Sequence, residues 1–320
     1  MSTRNLVDPA LLPVIDAFPT VALSAELLGP MREAERFAQF PMAVPPAAAE
    51  GIVQTVSTAP GPAGAPDITL TIYKPRDAAA PLPCIYHIHG GGYVGGSAAQ
   101  LEPLHRVAAH DLNCIIVSVD YRLAPENPYP AGIEDCYAGL AWTFANATAL
   151  SIDATRVGVM GESAGGGLAA ALTLLARDRG EYKLAFQHLI YPMLDDRTCI
   201  TTTPNPVAGE FIWTPHNNRF GWSALLGGAP GTGDVSPYAA PARAADLADL
   251  PPTFIACPTL DLFIDEDIDY AARLLRAGVP VEQHVYPGGF HGFDIFGGEA
   301  PIAVRARADS REALRRALHS

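Results

Sequence analysis

The sequence predicts an α/β fold, a mostly parallel sheet covered on both faces by helices. Three observations lead there. Strand-like and helix-like segments alternate from about residue 52 onward. Several strand-like runs, such as 114–120, 157–160 and 254–257, are mainly apolar rather than alternating, as strands buried on both faces are. The chain has 320 residues, of which 49% are hydrophobic, so one large core is within its means.

Eight runs read as strands, at 52–56, 68–73, 84–89, 114–120, 157–160, 186–191, 254–257 and 281–286. Helix-like segments follow most of them, at 98–110, 131–147, 164–177, 265–277 and 302–318. The first two runs follow one another with no helix between, which predicts an antiparallel start to the sheet. Two regions break the alternation. Residues 1–45 carry amphipathic pieces at 9–17 and 21–40, and residues 195–250 are rich in proline and glycine around a helix candidate at 215–226. Helical additions beside such a sheet lie over the carboxyl ends of its strands, where ligands bind. This divides the chain into an N-terminal cap segment (1–45), a core (46–194 and 251–320) and a second cap segment (195–250). The stretches "PAAAEG" and "APGPAGAPD" read as loops.

Composition narrows the partners. Net charge is −13, with two lysines, Lys74 and Lys183, and no basic stripe, which argues against a nucleic-acid partner. No run approaches the roughly 18 apolar residues of a membrane span. The first twenty residues are interrupted by Asp8, Pro9, Pro13 and Asp16 and lack the plan of a signal peptide, so a cytoplasmic protein is expected. Five scattered cysteines, at 84, 114, 136, 199 and 257, fit neither a disulfide framework nor a zinc site. They read as small buried hydrophobes.

The chemistry gathers around "RVGVMGESAGGGLAA", residues 156–170. A phosphate-binding loop would need GxxxxGK[ST], and no lysine follows these glycines. The dinucleotide pattern GxGxxG is absent at this turn. What matches is G-x-S-x-G between a strand and a helix, a sharp turn that presents the hydroxyl of Ser163 as a nucleophile. A serine hydroxyl near neutral pH needs a base within hydrogen-bond reach. Of the nine histidines, His291 in "YPGGFHGFD" is placed in a loop after the last strand; the others fall within strand-like or helix-like segments. An acid must orient that base, and in "ACPTLDLFIDEDIDY" Asp261 falls just past a strand end. Asp265, the reserve candidate, reads as a helix N-cap with Glu266 and Asp267 in the first turn. The strand ending in His89-Gly90-Gly91-Gly92 supplies a loop whose backbone amides are free to turn toward one point, as an oxyanion requires. His87 and His89 share one strand face; a metal pair there lacks a third ligand placed by sequence.

Together these residues resemble the bacterial hormone-sensitive-lipase-like esterases, family IV of the α/β-hydrolases. The resemblance spans roughly residues 50–295 and rests on HGGG at 89–92, "DYRLAPENPYPA" at 120–131, GESAGG at 161–166, "DLFIDE" at 261–266 and "HGF" at 291–293. It implies the α/β-hydrolase fold with an eight-stranded sheet and a helical cap built partly from the N-terminus. It also implies hydrolysis of short- to medium-chain acyl esters without cofactor or metal, and homodimer formation through the last strand. By motif, Ser163 is the nucleophile, His291 the general base and acid, and Asp261 the orienting carboxylate. The amides of Gly91, Gly92 and Ala164 form the oxyanion hole, His89 braces the glycine loop, and Asp120, Arg122 and Glu126 are structural. Glu162 replaces the aspartate commonest before the nucleophile, and Leu262 stands where proline often follows the acid. Amidase or acyltransferase chemistry fits the same triad, as does a ligand-binding protein that has lost catalysis. Phe18, Phe37, Phe40, Phe211, Trp213 and Trp222 are candidates for lining a substrate pocket or for packing between cap and core.

Overall fold

The computed structural model describes residues 2–18, 21–33, 44–78 and 80–319. Eight strands form one sheet: β1 (Ile52–Ala59), β2 (Ile68–Pro75), β3 (Leu82–Ile88), β4 (Ile115–Asp120), β5 (Ile152–Glu162), β6 (Gln187–Ile190), β7 (Thr253–Pro258) and β8 (Val281–Tyr286). Their order is β1-β2-β4-β3-β5-β6-β7-β8. β2 runs antiparallel to both of its neighbours, and every pairing from β4 to β8 is parallel. The expected antiparallel start is therefore one reversed strand near an edge. β3 and β7 are buried at every position, and the order places both well inside the sheet.

The helices are α1 (Leu12–Ala17), α2 (Ala25–Glu33), α3 (Pro46–Gly51), α4 (Glu102–Leu112), α5 (Ala131–Ala145), α6 (Ala147–Leu150), α7 (Ala164–Arg179), α8 (Pro215–Leu226), α9 (Ile264–Arg276), α10 (Phe293–Phe296) and α11 (Pro301–His319). None is long and apolar enough to cross a membrane, among the described residues. The "PAAAEG" stretch, expected as a loop, is α3. Pro46 sits at a first-turn position where its missing N–H costs nothing, and three alanines follow. Strand β5 is longer than its apolar run. Residues 152–156 continue it past a bulge opposite Leu82, with polar Asp153, Thr155 and Arg156 on exposed or half-buried positions. α7 is buried from Ala164 to Ala176, and its small residues let it lie close behind β5 and β6.

All five cysteines are free and buried. α9 buries Ile264, Glu266, Asp267, Tyr270, Ala271 and Leu274, so two acids stand among otherwise apolar buried positions. Asp267 is fully buried and its two oxygens lack a nitrogen or oxygen donor, with the weak Cys257 S–H as polar neighbour. Burial, then the nearby Glu266 carboxylate, push its pKa well above the ordinary value. The folded chain thus keeps a proton that the unfolded chain releases near pH 4, and stability falls as pH rises through that interval. Asp267→Asn is expected to raise the melting temperature more at pH 8 than at pH 5, by about 1.5 °C per kcal/mol recovered in a chain of 320 residues. An identical shift at both pH values in thermal melts would contradict the titration.

Candidate active site

The motif-bearing loops converge at the carboxyl edge of the sheet. Ser163 follows β5, Asp261 follows β7, His291 follows β8, and the glycine loop follows β3. The turn at Ser163 is tight. Its φ is +56°, a left-handed value uncommon for a residue with a side chain. The surrounding backbone over-determines it: the Ser163 N–H donates to the Ile190 carbonyl at 2.9 Å, and its own carbonyl accepts from Gly167 and Met193 at 3.0 Å each. A Cβ at Gly161 would stand 2.2 Å from the Gly165 oxygen, and one at Gly165 would stand 2.1 Å from the Ile88 oxygen. Glycine is required at both, and the sequence pattern is explained by backbone contact.

Three side chains far apart in sequence meet here. Ser163 Oγ lies 2.9 Å from His291 Nε2, and His291 Nδ1 lies 2.7 Å from Asp261 Oδ2. Ser163 and His291 are each 7% exposed and Asp261 is wholly buried, so the chain of hydrogen bonds is closed to solvent at its carboxylate end. Asp261 Oδ1 also accepts the Phe263 N–H at 3.0 Å. Asp265, expected as an N-cap, is not one. α9 begins one residue earlier, with Phe263 at the cap, and the carboxylate that takes a cap-region N–H is that of Asp261. Asp265 is exposed and accepts from Asn205 Nδ2 at 3.1 Å. The His291 ring is framed by Tyr191 (4.8 Å between centroids), Phe263 edge-on (5.5 Å) and Trp213 (6.2 Å).

The glycine loop is fixed from several sides. His89 Nδ1 donates to the Gly90 carbonyl at 2.8 Å, and its ring stacks on Tyr121 at 4.4 Å. Burial holds that imidazole below the usual histidine range, so it braces the loop as a neutral ring. Tyr121 in turn donates its hydroxyl to the His89 carbonyl at 2.9 Å. Gly92 has φ of +63°, and a Cβ there would meet the Trp213 ring at 2.2 Å. Gly91 and Gly92 line the same cavity as Ser163. Ala164 opens α7, where a first-turn N–H has no intrahelical acceptor. Asp120 accepts the Ala98 N–H at 2.7 Å, Arg122 pairs with buried Asp135 at 2.7 Å, and Glu126 pairs with Arg32 at 2.9 Å.

Two contacts have no counterpart in the sequence reading. The Glu162 carboxylate meets His87 Nε2 at 3.0 Å, while His87 Nδ1 meets Ser118 Oγ at 3.0 Å, tying three adjacent strands together beneath Ser163. This is where His87 is engaged, and no cluster among the described residues is arranged to hold a metal ion. Tyr191 donates to Asp294 at 2.8 Å; burial raises the Asp294 pKa. Leu262 packs beside Gly209, where a Cβ would approach to 2.7 Å. Of the named aromatics, Phe18 and Trp213 line the cavity. Phe211 packs on Phe290 at 6.1 Å and Trp222 is wholly buried against Tyr93. Phe37 and Phe40 lie outside the described residues.

A strand-turn-helix serine, a histidine past the last strand and an acid past the one before it define an α/β hydrolase. The family model described as alpha/beta hydrolase fold matches residues 85–295, and the chain belongs to that family, in its hormone-sensitive-lipase-like branch. It is 36% identical to carboxylesterase NlhH of Mycobacterium tuberculosis, over 99% of this chain and 98% of that protein. Among solved structures it is similar to a bacterial heroin esterase, with 37% identity, a TM-score of 0.87 and full coverage of both chains. It is also similar to esterase LipW from Mycobacterium marinum, with 35% identity, a TM-score of 0.84, and 99% and 98% of the two chains covered.

Proposed function

We infer that this carboxylic-ester hydrolase works by two-step acyl transfer on Ser163. The observation that carries the reading is the unbroken relay from Ser163 Oγ through His291 to Asp261, at 2.9 and 2.7 Å. Ser163 Oγ attacks the ester carbonyl carbon while His291 Nε2 takes the hydroxyl proton. The carbonyl oxygen becomes an oxyanion facing the N–H groups of Gly91, Gly92 and Ala164, each donor worth roughly 10²–10³ in rate. Collapse breaks the bond to the alkoxy oxygen, which leaves as alcohol with the proton from His291. Water then attacks the acyl-enzyme, gives its proton to Nε2, and the acid departs as Ser163 regains its hydrogen. Asp261 stays ionised, holding Nδ1–H and stabilising the imidazolium.

Residues 1–45 and 195–250 act as a cap over this site. Val21, Leu23 and Met31 from the first segment and Ile212 and Trp213 from the second line the cavity beside Ser163, which supports that reading. The cavity holds about 180 Å³ and its walls are mainly apolar, so short- to medium-chain acyl esters fit best. With p-nitrophenyl acetate, butyrate, hexanoate and decanoate, kcat/KM is expected to peak at butyrate or hexanoate and to fall at decanoate. A maximum at decanoate contradicts the chain-length assignment. Turnover of p-nitroacetanilide above that of every ester would replace the esterase reading with an amidase one.

A further inference from the structure

We propose that Asn217 sets the size of ester this site accepts, by fixing one wall of its cavity. The inference rests on the esterase reading of the Ser163 site. Val21 and Leu23 belong to the N-terminal segment, 140 or more residues from the nucleophile in sequence, yet both line the cavity it faces. What holds them is the Asn217 side chain of α8. Its Nδ2 donates to the Val21 carbonyl at 2.9 Å, and its Oδ1 accepts the Leu23 N–H at 2.9 Å. The amide thus bonds the segment as a neighbouring strand would, using its donor and acceptor together. His216 Nε2 adds a third bond, to the Leu23 carbonyl at 3.0 Å.

Asn217 is itself rigid. It is 3% exposed, and Thr214 caps its backbone N–H at 3.3 Å in the first turn of α8. One turn further on, α8 presses against the glycine loop, where a Cβ on Gly221 would stand 2.7 Å from the Gly92 oxygen. One helix therefore sets the spacing between the wall at 21–23 and the loop at 91–92. Asn217 lines the cavity too, but it makes no bond to Ser163, His291 or Asp261, so it acts as a positioning residue for the wall it joins. Removing its amide leaves the Leu23 N–H and Val21 carbonyl without this partner and lets the wall move outward.

The test is kcat/KM for p-nitrophenyl decanoate divided by that for butyrate, in wild type, Asn217→Ala, Asn217→Asp and Leu23→Ala. Asp retains the acceptor but not the donor. We expect the ratio to rise about tenfold in Asn217→Ala, the worth of about one methylene in an apolar pocket, and less in Asn217→Asp. The change should appear in KM for decanoate, with kcat for butyrate within about threefold of wild type. Leu23→Ala trims the wall without touching the clamp and should raise the ratio too. Hydrogen exchange at the Leu23 amide should quicken in Asn217→Ala, stay closer to wild type in Asn217→Asp, whose carboxylate still accepts that N–H, and not quicken in Leu23→Ala. A ratio that stays level or falls in Asn217→Ala overturns the proposal, as does unchanged exchange at Leu23 in that variant. Wild-type protein that hydrolyses none of the esters would refute the esterase reading instead, and the exchange measurement would still judge the clamp.

Discussion

Ser163→Ala is expected to lower kcat on p-nitrophenyl butyrate by about four to six orders of magnitude while leaving KM nearly unchanged. The variant keeps the cavity, the cap and the loop amides, so binding survives. It loses the one oxygen that is 2.9 Å from the His291 base and held at the mouth of a buried relay. Residual turnover then reflects the oxyanion donors and desolvation alone. Ser97 also lines the cavity and offers a rival hydroxyl. Activity within tenfold of wild type in steady-state assays would transfer the nucleophile's role to it or to water.

Asp261→Asn is expected to cost on the order of 10⁴ in kcat with little change in melting temperature. The local hydrogen bonds determine why. Asp261 Oδ1 accepts the Phe263 N–H, and Oδ2 faces His291 Nδ1. An asparagine must keep its carbonyl toward Phe263, which turns its NH2 toward the imidazole. Nδ1 then has to accept, the ring proton moves to Nε2, and Ser163 faces a donor where it needs a base. Asp265→Asn serves as the control. That carboxylate is exposed and bonded to Asn205, so its loss should change kcat by no more than about twofold. A larger effect at Asp265 than at Asp261 would exchange their roles.

Much of this arrangement was legible before any coordinates. Apolar runs marked the inner strands, such as β4 and β7, because strands covered on both faces cannot alternate, while the edge strands β1 and β8 carry polar residues, and Thr214 and Gly227 bracket the Pro215–Leu226 helix. Strand order was not legible, since the pairing of β3 between β4 and β5 depends on crossover geometry rather than on any residue. Residues 153–156 looked unlike a strand because their side chains are exposed or half-buried. α3 hid behind its prolines. At the site, Ser163, Asp261 and His291 stood out through motif and position. Glu162–His87 and Asn217 did not, because each gains meaning only from a partner on another element, 75 positions away for the first and some 195 for the second.

The buried thiols have a practical consequence for spectroscopy. Burial pushes each of the five upward in pKa, Cys199 to about 12, so little thiolate exists at neutral pH. Maleimide dyes would find no competing native target in the folded chain. A single cysteine introduced at Leu27 of α2, which is 40% exposed, would carry a fluorophore alone and follow that helix in real time as an ester enters and its acid departs.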